Sequence, residues 1–379
     1  MAIDLEERIE FCKEWLLNSD VQQKTGEHKG AFNSWYQYET KGFTFAYPEI
    51  TGYGLTLLTY LHKLEGDNHY LAKAEVAADW IINKVIDDDG GCFSCFPYIS
   101  EYKKNEGVKF TFDSGIILNG LVNLYRHTGE KKYLEASKKI GNWMLSMQNP
   151  DGSFIPYRDA VGQNKNTMET WSTQSGSYLS KVCIGLLNLY DIIGDENLIV
   201  GVKQSLRDSN KWRQANGRFR TYADYDSSNF HPHCYSCESY FVAGQFFDDV
   251  KHLKIATEGS KFLLDNLSTD GKIPRHYIDH KFNYNERSDI IAQTLRLAIL
   301  TNENRNPDFI SLLRQNYSRL INYHVSDGIH KGAFIFGNKS DGSPANNPNS
   351  WCSMFALQAM ILYRDFKNNR INFEWKYMV

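Results

Sequence analysis

Apolar positions along the chain fall into two alternating kinds of segment. Stretches such as 53–64, 114–127 and 175–191 are mostly apolar and rich in small residues, and each is followed by a stretch with one charged face. In 133–147, Tyr133, Leu134, Ile140, Trp143, Met144 and Met147 recur at helical spacing and form a single apolar stripe. A helix that is apolar all round is surrounded, whereas a striped one lies outside it. The pattern therefore predicts inner helices paired with outer ones. A short turn separates the two, as Glu65-Gly66-Asp67, Thr128-Gly129-Glu130 and Ile193-Gly194-Asp195, recurring about every 64 residues.

Weaker copies complete the set: inner 234–247 with outer 253–265, inner 289–300 with outer 308–323, and inner 351–364 with the N-terminal helix 4–17. A glycine turn follows each outer helix, as in Gly30-Ala31-Phe32, Asp89-Gly90-Gly91, Asp151-Gly152-Ser153-Phe154, Asn216-Gly217-Arg218-Phe219, Asp270-Gly271 and Asp327-Gly328. Glycine there supplies the positive φ of a tight turn. Six such pairs predict an all-α fold, an (α/α)6 toroid formed by residues 1–379 as one domain, with the first helix covering the last. Outer-to-inner links, at 18–49, 85–112, 148–173, 207–232, 266–287 and 324–349, run to about 20–30 residues, a length that usually carries function. They are expected at one mouth, where inner-helix N-termini present their open N–H groups.

Charge narrows the partners. Lys and Arg number 42 against 45 Asp and Glu, so the basic excess that nucleic-acid binding needs is missing. The start, Met1-Ala2-Ile3-Asp4-Leu5-Glu6, lacks a cationic and apolar leader, and no run approaches a membrane span of about 20 apolar residues. Seven cysteines, an odd number, fit reduced thiols better than a disulfide framework. A cytoplasmic protein with no membrane partner and no cofactor is expected.

Candidate chemistry lies where the long links enter the inner helices. Glu49, Asp113 and Asp289 open helical runs there, and Glu238 sits inside an apolar one, where a carboxylate needs a partner or a cavity. Capping explains Asp113 alone, and Pro48 beside an acid explains Glu49 as an ordinary helix start; several acids at one mouth exceed what caps require. His233 is expected on a loop, as a substrate or acid–base group. Asp289, Gln293 and Arg296 share a helix face, open both to a buried ion pair and to substrate binding. The predicted catalytic set is Asp113, Glu238, Asp289 and His233; the binding set is Glu49, Tyr53, Trp171, Gln174, His231, Arg287, Gln293 and Trp351.

Other motifs receive plainer readings. Cys92-Phe93-Ser94-Cys95 and Cys234-Tyr235-Ser236-Cys237 raise a zinc question, but they lie far apart in sequence and the second pair fits one turn of helix, so no metal is expected. Asp87-Asp88-Asp89 is expected in a solvated turn. Tyr157-Arg158, Arg220-Thr221-Tyr222 and Arg275-His276-Tyr277 occupy the same place in three repeats, as loop packing or, if exposed, as rings and forks suited to acidic sugars.

The hairpin repeat, together with Phe112-Asp113-Ser114-Gly115, Gln148-Asn149-Pro150-Asp151-Gly152-Ser153-Phe154 and His231-Pro232-His233-Cys234-Tyr235, resembles the six-hairpin glycosidase superfamily over essentially the whole chain. That superfamily includes unsaturated glucuronyl hydrolases and N-acylglucosamine 2-epimerases. The Tyr47–Tyr53 and His231–Glu238 stretches are similar to proteins of bacterial surface-polysaccharide clusters. In the hydrolases an acid opens the second inner helix, the place of Asp113; a second Asp comes from the third, where this chain has Ser172 and Gln174. The resemblance implies a glycoside hydrolase acting on an acidic oligosaccharide or polysaccharide, with Asp113 and Glu238 as the carboxylate pair and Asp289 or Glu49 as a substitute for either. The alternatives are a sugar epimerase or isomerase using His233 and acids, and a non-catalytic glycan-binding protein of polysaccharide biosynthesis. Oligomeric state is left open.

Overall fold

The computed structural model describes residues 3–302 and 304–379. Among them are twelve α-helices: α1 Leu5–Asn18, α2 Pro48–Glu65, α3 Asn68–Trp80, α4 Thr111–Thr128, α5 Lys131–Ser146, α6 Cys183–Ile193, α7 Glu196–Asn210, α8 Phe230–Phe247, α9 Val250–Asp265, α10 Ser288–Thr301, α11 Pro307–Leu320 and α12 Ser350–Lys367. The even-numbered helices are the apolar ones and the odd-numbered the striped ones, as the hydropathy pattern predicts. None is long and apolar enough to cross a membrane.

The residues group into two compact units. The first holds Asp20–Ser34, Glu39–Lys211 and Trp375–Val379; the second holds the chain up to Ser19, Trp35–Tyr38 and Trp212–Glu374. Each contains three hairpins. In the first, inner helices α2, α4 and α6 pack side by side with outer helices α3, α5 and α7 against them. In the second, α8 and α10 carry α9 and α11, and α12 takes α1 as its outer partner, with the Cys12 thiol reaching the Ser353 carbonyl at 3.5 Å.

The small residues of the inner helices have a steric cause. A Cβ on Gly120 would lie 2.6 Å from the Gly52 carbonyl oxygen, and one on Gly52 would lie 2.8 Å from the Ile117 backbone. Backbone thus meets backbone where α2 crosses α4, and no side chain can yield to make room. The glycine turns behave similarly: Gly152, at φ +94°, sits against the Gln204 carbonyl of the next outer helix. In the sixth copy this place belongs to Gly332, set against the Phe11 carbonyl, rather than to Gly328, whose surroundings are open.

Two inner helices begin earlier than the apolar runs suggest. Pro48 starts α2 and Phe230 starts α8, the latter with the Asn229 side chain accepting from the His231 N–H. Pro232 falls in the first turn, where a missing N–H costs nothing. The third inner element opens instead with a 3-10 stretch, Ser177–Val182, before α6. The long links also carry short antiparallel ribbons that hydropathy does not reveal, such as Lys109–Phe110 against Tyr157–Arg158, and Phe334–Asn338 against Pro344–Asn349.

Candidate functional site

The first unit contains a pair of buried acids. Glu49 is the second residue of α2 and Asp113 the third of α4, so both stand in the first turn of neighbouring inner helices. Their exposures are 9% and 6%, and neither forms an ion pair among the described residues. Burial pushes the Glu49 carboxyl up to about 7 against the pull of the Tyr47 hydroxyl, which donates to Oε2 at 2.5 Å. Burial also drives Asp113 well above the ordinary carboxylate range, helped by the charge of Glu49 and opposed by the Ser94 hydroxyl. Two acids without a cation cannot both ionise cheaply, so the pair retains a proton at neutral pH.

Aromatic groups surround these acids. Tyr178 packs against Phe112 with ring centroids 5.7 Å apart and tilted, and meets Trp171 edge-on at 5.0 Å, while its hydroxyl donates to the carbonyls of Ser172 and Gln174. Trp171 and Gln174 are thereby drawn to the Asp113 end of the unit, whose charge is felt at Tyr178. Tyr53 lies one turn below Glu49, is 1% exposed, and lines a cavity with Thr56, Ile116, Asn119, Lys181 and Met378. Ser94, Tyr178 and Met378 are absent from the sequence-derived set. Lys181 is absent too, yet a charge inside an apolar run is the same signal that singled out Glu238.

In the second unit the acids are paired with cations. Asp289, fully buried in the first turn of α10, receives both arms of Arg287, the Trp351 indole N–H at 3.0 Å and the Ile290 N–H at 2.8 Å. Burial works to raise its pKa, but Arg287, His231 and these donors outweigh it and hold it at about 2. Phe336 covers the Arg287 guanidinium at 4.6 Å. His231 Nδ1 lies 2.7 Å from the Gln293 side-chain oxygen and 3.7 Å from Asp289. An amide oxygen only accepts, so Nδ1 carries the proton and Nε2 is the basic nitrogen. Burial lowers this imidazole to about 4, leaving it neutral at pH 7.

Two predicted catalytic residues have structural surroundings. Glu238 is expected one turn into its helix, but the early start of α8 places it deeper, at zero exposure, in an ion pair with Arg296. Arg296 also reaches Gln358 at 2.9 Å and lies over Phe355. A carboxylate held by a buried guanidinium is poorly suited to donate or accept protons during turnover. His233 is on α8, not on a loop. Its Nδ1 accepts from the Phe219 N–H at 3.1 Å and its Nε2 faces the Gly259 carbonyl at 3.0 Å, so both nitrogens tie a glycine turn to the outer helix.

The remaining motifs act in packing. Asp87 and Asp89 grip the buried Lys109, and Asp89 also takes Arg158 and the Trp143 indole, so the acidic turn is an ion-pair anchor and not merely solvated. All seven cysteines are free and buried, and no cluster of three or more metal-ligating side chains occurs among the described residues.

A family model, glycosyl hydrolase family 76, matches residues 34–216, just under half of the chain and the same three hairpins as the first unit. A sugar epimerase from a ruminal bacterium superimposes with a TM-score of 0.75 at 12% identity, covering 94% of this chain and 98% of its own. A cellobiose 2-epimerase from Bacillus thermoamylovorans gives 0.74 at 14%, covering 94% and 99%. An unsaturated glucuronyl hydrolase specific for heparin gives 0.72 at 14%, covering 96% and 98%. The chain shares its fold with these sugar epimerases and this hydrolase. Curated protein sequences gave no match. At these identities the likeness settles architecture, and the chemistry must be argued from the side chains.

Proposed function

We propose that the protein is a carbohydrate-active enzyme, a glycoside hydrolase whose acids are Asp113 and Glu49. The observation that carries this reading is the cation-free carboxylate pair at the first turns of α2 and α4, whose two environments set different proton affinities. Asp113, its carboxyl raised well above the ordinary range by burial and by the charge of Glu49, is the acid that delivers a proton to the leaving glycosidic oxygen. Glu49, close to half ionised, accepts a proton from water or attacks the anomeric carbon itself. The Tyr47 hydroxyl stabilises the anionic form of Glu49 and keeps it from becoming a second inert acid. Trp171, half-buried beside Tyr178, supplies a ring face for sugar C–H surfaces. The family 76 model over these same hairpins supports hydrolysis.

The substrate is an oligosaccharide, the acidic one that the sequence suggests. Buried, unbridged thiols support work in a reducing compartment. The test is turnover on p-nitrophenyl glycosides of neutral hexoses, N-acetylhexosamines and hexuronic acids. Asp113→Asn should cut release by about 10³ or more and Glu49→Gln by about 10², from any glycoside that responds, with cooperative unfolding retained; undiminished release in both would sink the assignment.

A second reading, a sugar epimerase, rests on His231, a neutral imidazole with a basic Nε2 beside the ionised Asp289. It differs from the sequence expectation in the histidine it employs. Solvent deuterium appearing on sugar carbon without bond cleavage, and lost in His231→Gln, would favour it over hydrolysis.

A further inference from the structure

Tyr47, whose hydroxyl donates to Glu49 Oε2 at 2.5 Å, stands immediately before Pro48 and the first turn of α2. A phenol keeps such a bond only while its ring is prevented from turning about the side-chain torsions. The ring of Phe45, 6% exposed, lies 5.0 Å from it at an inclination of 59°. On Phe45 in turn lies Tyr102, at 4.9 Å and 49°. Tyr102, Phe45, Tyr47 and Glu49 thus form a continuous file of contacts that ends on a buried acid.

Tyr102 comes from a 3-10 segment, Ser100–Asn105, none of whose residues is buried. It is the only large apolar side chain in the run Ser-Glu-Tyr-Lys-Lys-Asn. Backbone pairing fixes where this segment hangs. Phe96–Pro97, before it, pairs with Phe45–Ala46, the strand that runs into α2, and the Tyr98 N–H donates to the Thr44 carbonyl at 3.1 Å. Lys109–Phe110, after it, runs directly into α4 and Asp113. The segment is therefore strung between the entries of the two helices that carry the acids. Its phenol is pushed up to about 12, by burial first and then by Glu101 and Cys95, so it brings no charge to the site near pH 7.

We propose that Tyr102 is a positioning residue for Glu49: it presses Phe45 against Tyr47 and so holds the Tyr47 hydroxyl on Oε2. This rests on the hydrolase reading for what Glu49 does in turnover, though not for the hold on its proton. Among the described residues, two groups act on the Glu49 carboxyl, the Tyr47 hydroxyl from its own link and Asp113 from α4. The hydroxyl favours the ionised form and the second acid opposes it. Loosening the hydroxyl leaves desolvation and Asp113 unopposed.

The experiment is a carbon-13 NMR titration of the Glu49 carboxyl, assigned by its loss in Glu49→Gln. Tyr47→Phe should move the midpoint up by about one pH unit and Tyr102→Ala by about half as much. Tyr102→Phe, which keeps the ring, and Lys103→Ala, on the same segment, should leave it in place. Because the segment is unburied, cooperative thermal unfolding should persist in all four. A midpoint unmoved by Tyr102→Ala, or moved equally by Tyr102→Phe, overturns the proposal. Kinetics separate it from the reading on which it rests: with a responsive glycoside of the p-nitrophenyl panel, the acidic limb of kcat/KM should follow the NMR midpoint. A midpoint that moves while no glycoside in the panel is turned over upholds the role of Tyr102 and removes the hydrolase.

Discussion

Glu49 and Asp113 in the first unit and Asp289 in the second occupy the same local position, the first turn of an inner helix, yet their proton affinities move in opposite directions. All three are buried and all three feel a favourable helix N-terminus, worth about 0.3–1 kcal/mol. What differs is the company across the turn. Asp289 has the Arg287 guanidinium in a two-armed grip and falls to about 2. Glu49 has a neutral phenol and rises to about 7. Desolvation acts on all of them, and one guanidinium is enough to reverse the outcome. The comparison teaches that a carboxylate at an inner-helix start is a latent acid whose role is assigned by its cation.

The largest effect should come from the cation-free pair. Asp113→Asn should lower kcat by about 10³ or more and Glu49→Gln by about 10², within the usual range for a lost acid or base; Asp289→Asn should leave the pH optimum where it is. Next is the buried ion pair of Glu238 with Arg296. Arg296→Met should cost about 3–5 kcal/mol in urea unfolding by stranding Glu238, and adding Glu238→Leu should recover most of that loss. If the single and double variants unfold alike, the pair is not what holds that helix interior.

Steric closeness gives a smaller effect: Gly120→Ala should destabilise by about 1–3 kcal/mol, read from chemical denaturation, because its Cβ meets the Gly52 carbonyl. Linkage to pH sharpens the comparison itself. Glu49 and Asp113 bind protons more tightly folded than unfolded, so stability should fall as pH rises from about 4 towards 7, where the unfolded chain has already ionised. Asp289 is the reverse case: its contribution is present above the unfolded pKa near 4 and is lost as pH drops towards 2. Melting curves of Glu49→Gln/Asp113→Asn should lack the first slope and retain the second. The smallest change expected is in Arg287→Gln, where carbon-detected NMR should find the Asp289 carboxyl titrating at a higher pH than in the native protein.

Much of this was legible in the chain. Hydropathy alone separates inner from outer helices, and the glycine-acid turns count them. Asp113 and Glu49 are recoverable from their positions before apolar runs. His233 and His231 show where that method stops: they are two residues apart on one helix, one tied by both nitrogens to backbone and the other facing Gln293 and Asp289. Nothing in the local sequence distinguishes them, because their partners are 14, 26 and some 60 residues away. Glu238 was singled out for a sound reason, a charge among apolar neighbours, but the same rule is satisfied by a buried arginine on another helix as well as by a cavity.

By itself, then, the sequence determined the alternation of helices, the glycines on which they cross, and the junctions at which acids collect, because these depend on periodicity and on backbone sterics within a few residues. Only the tertiary structure decided which acids keep a proton, since that is set by desolvation and by cations brought from elsewhere in the chain. It also decided the place of Met378. The segment Trp375–Val379, with no periodicity of its own, enters the first unit where Asn119 and Asn123 of α4 donate to the Lys376 carbonyl, a partnership that exists only once the helices have packed.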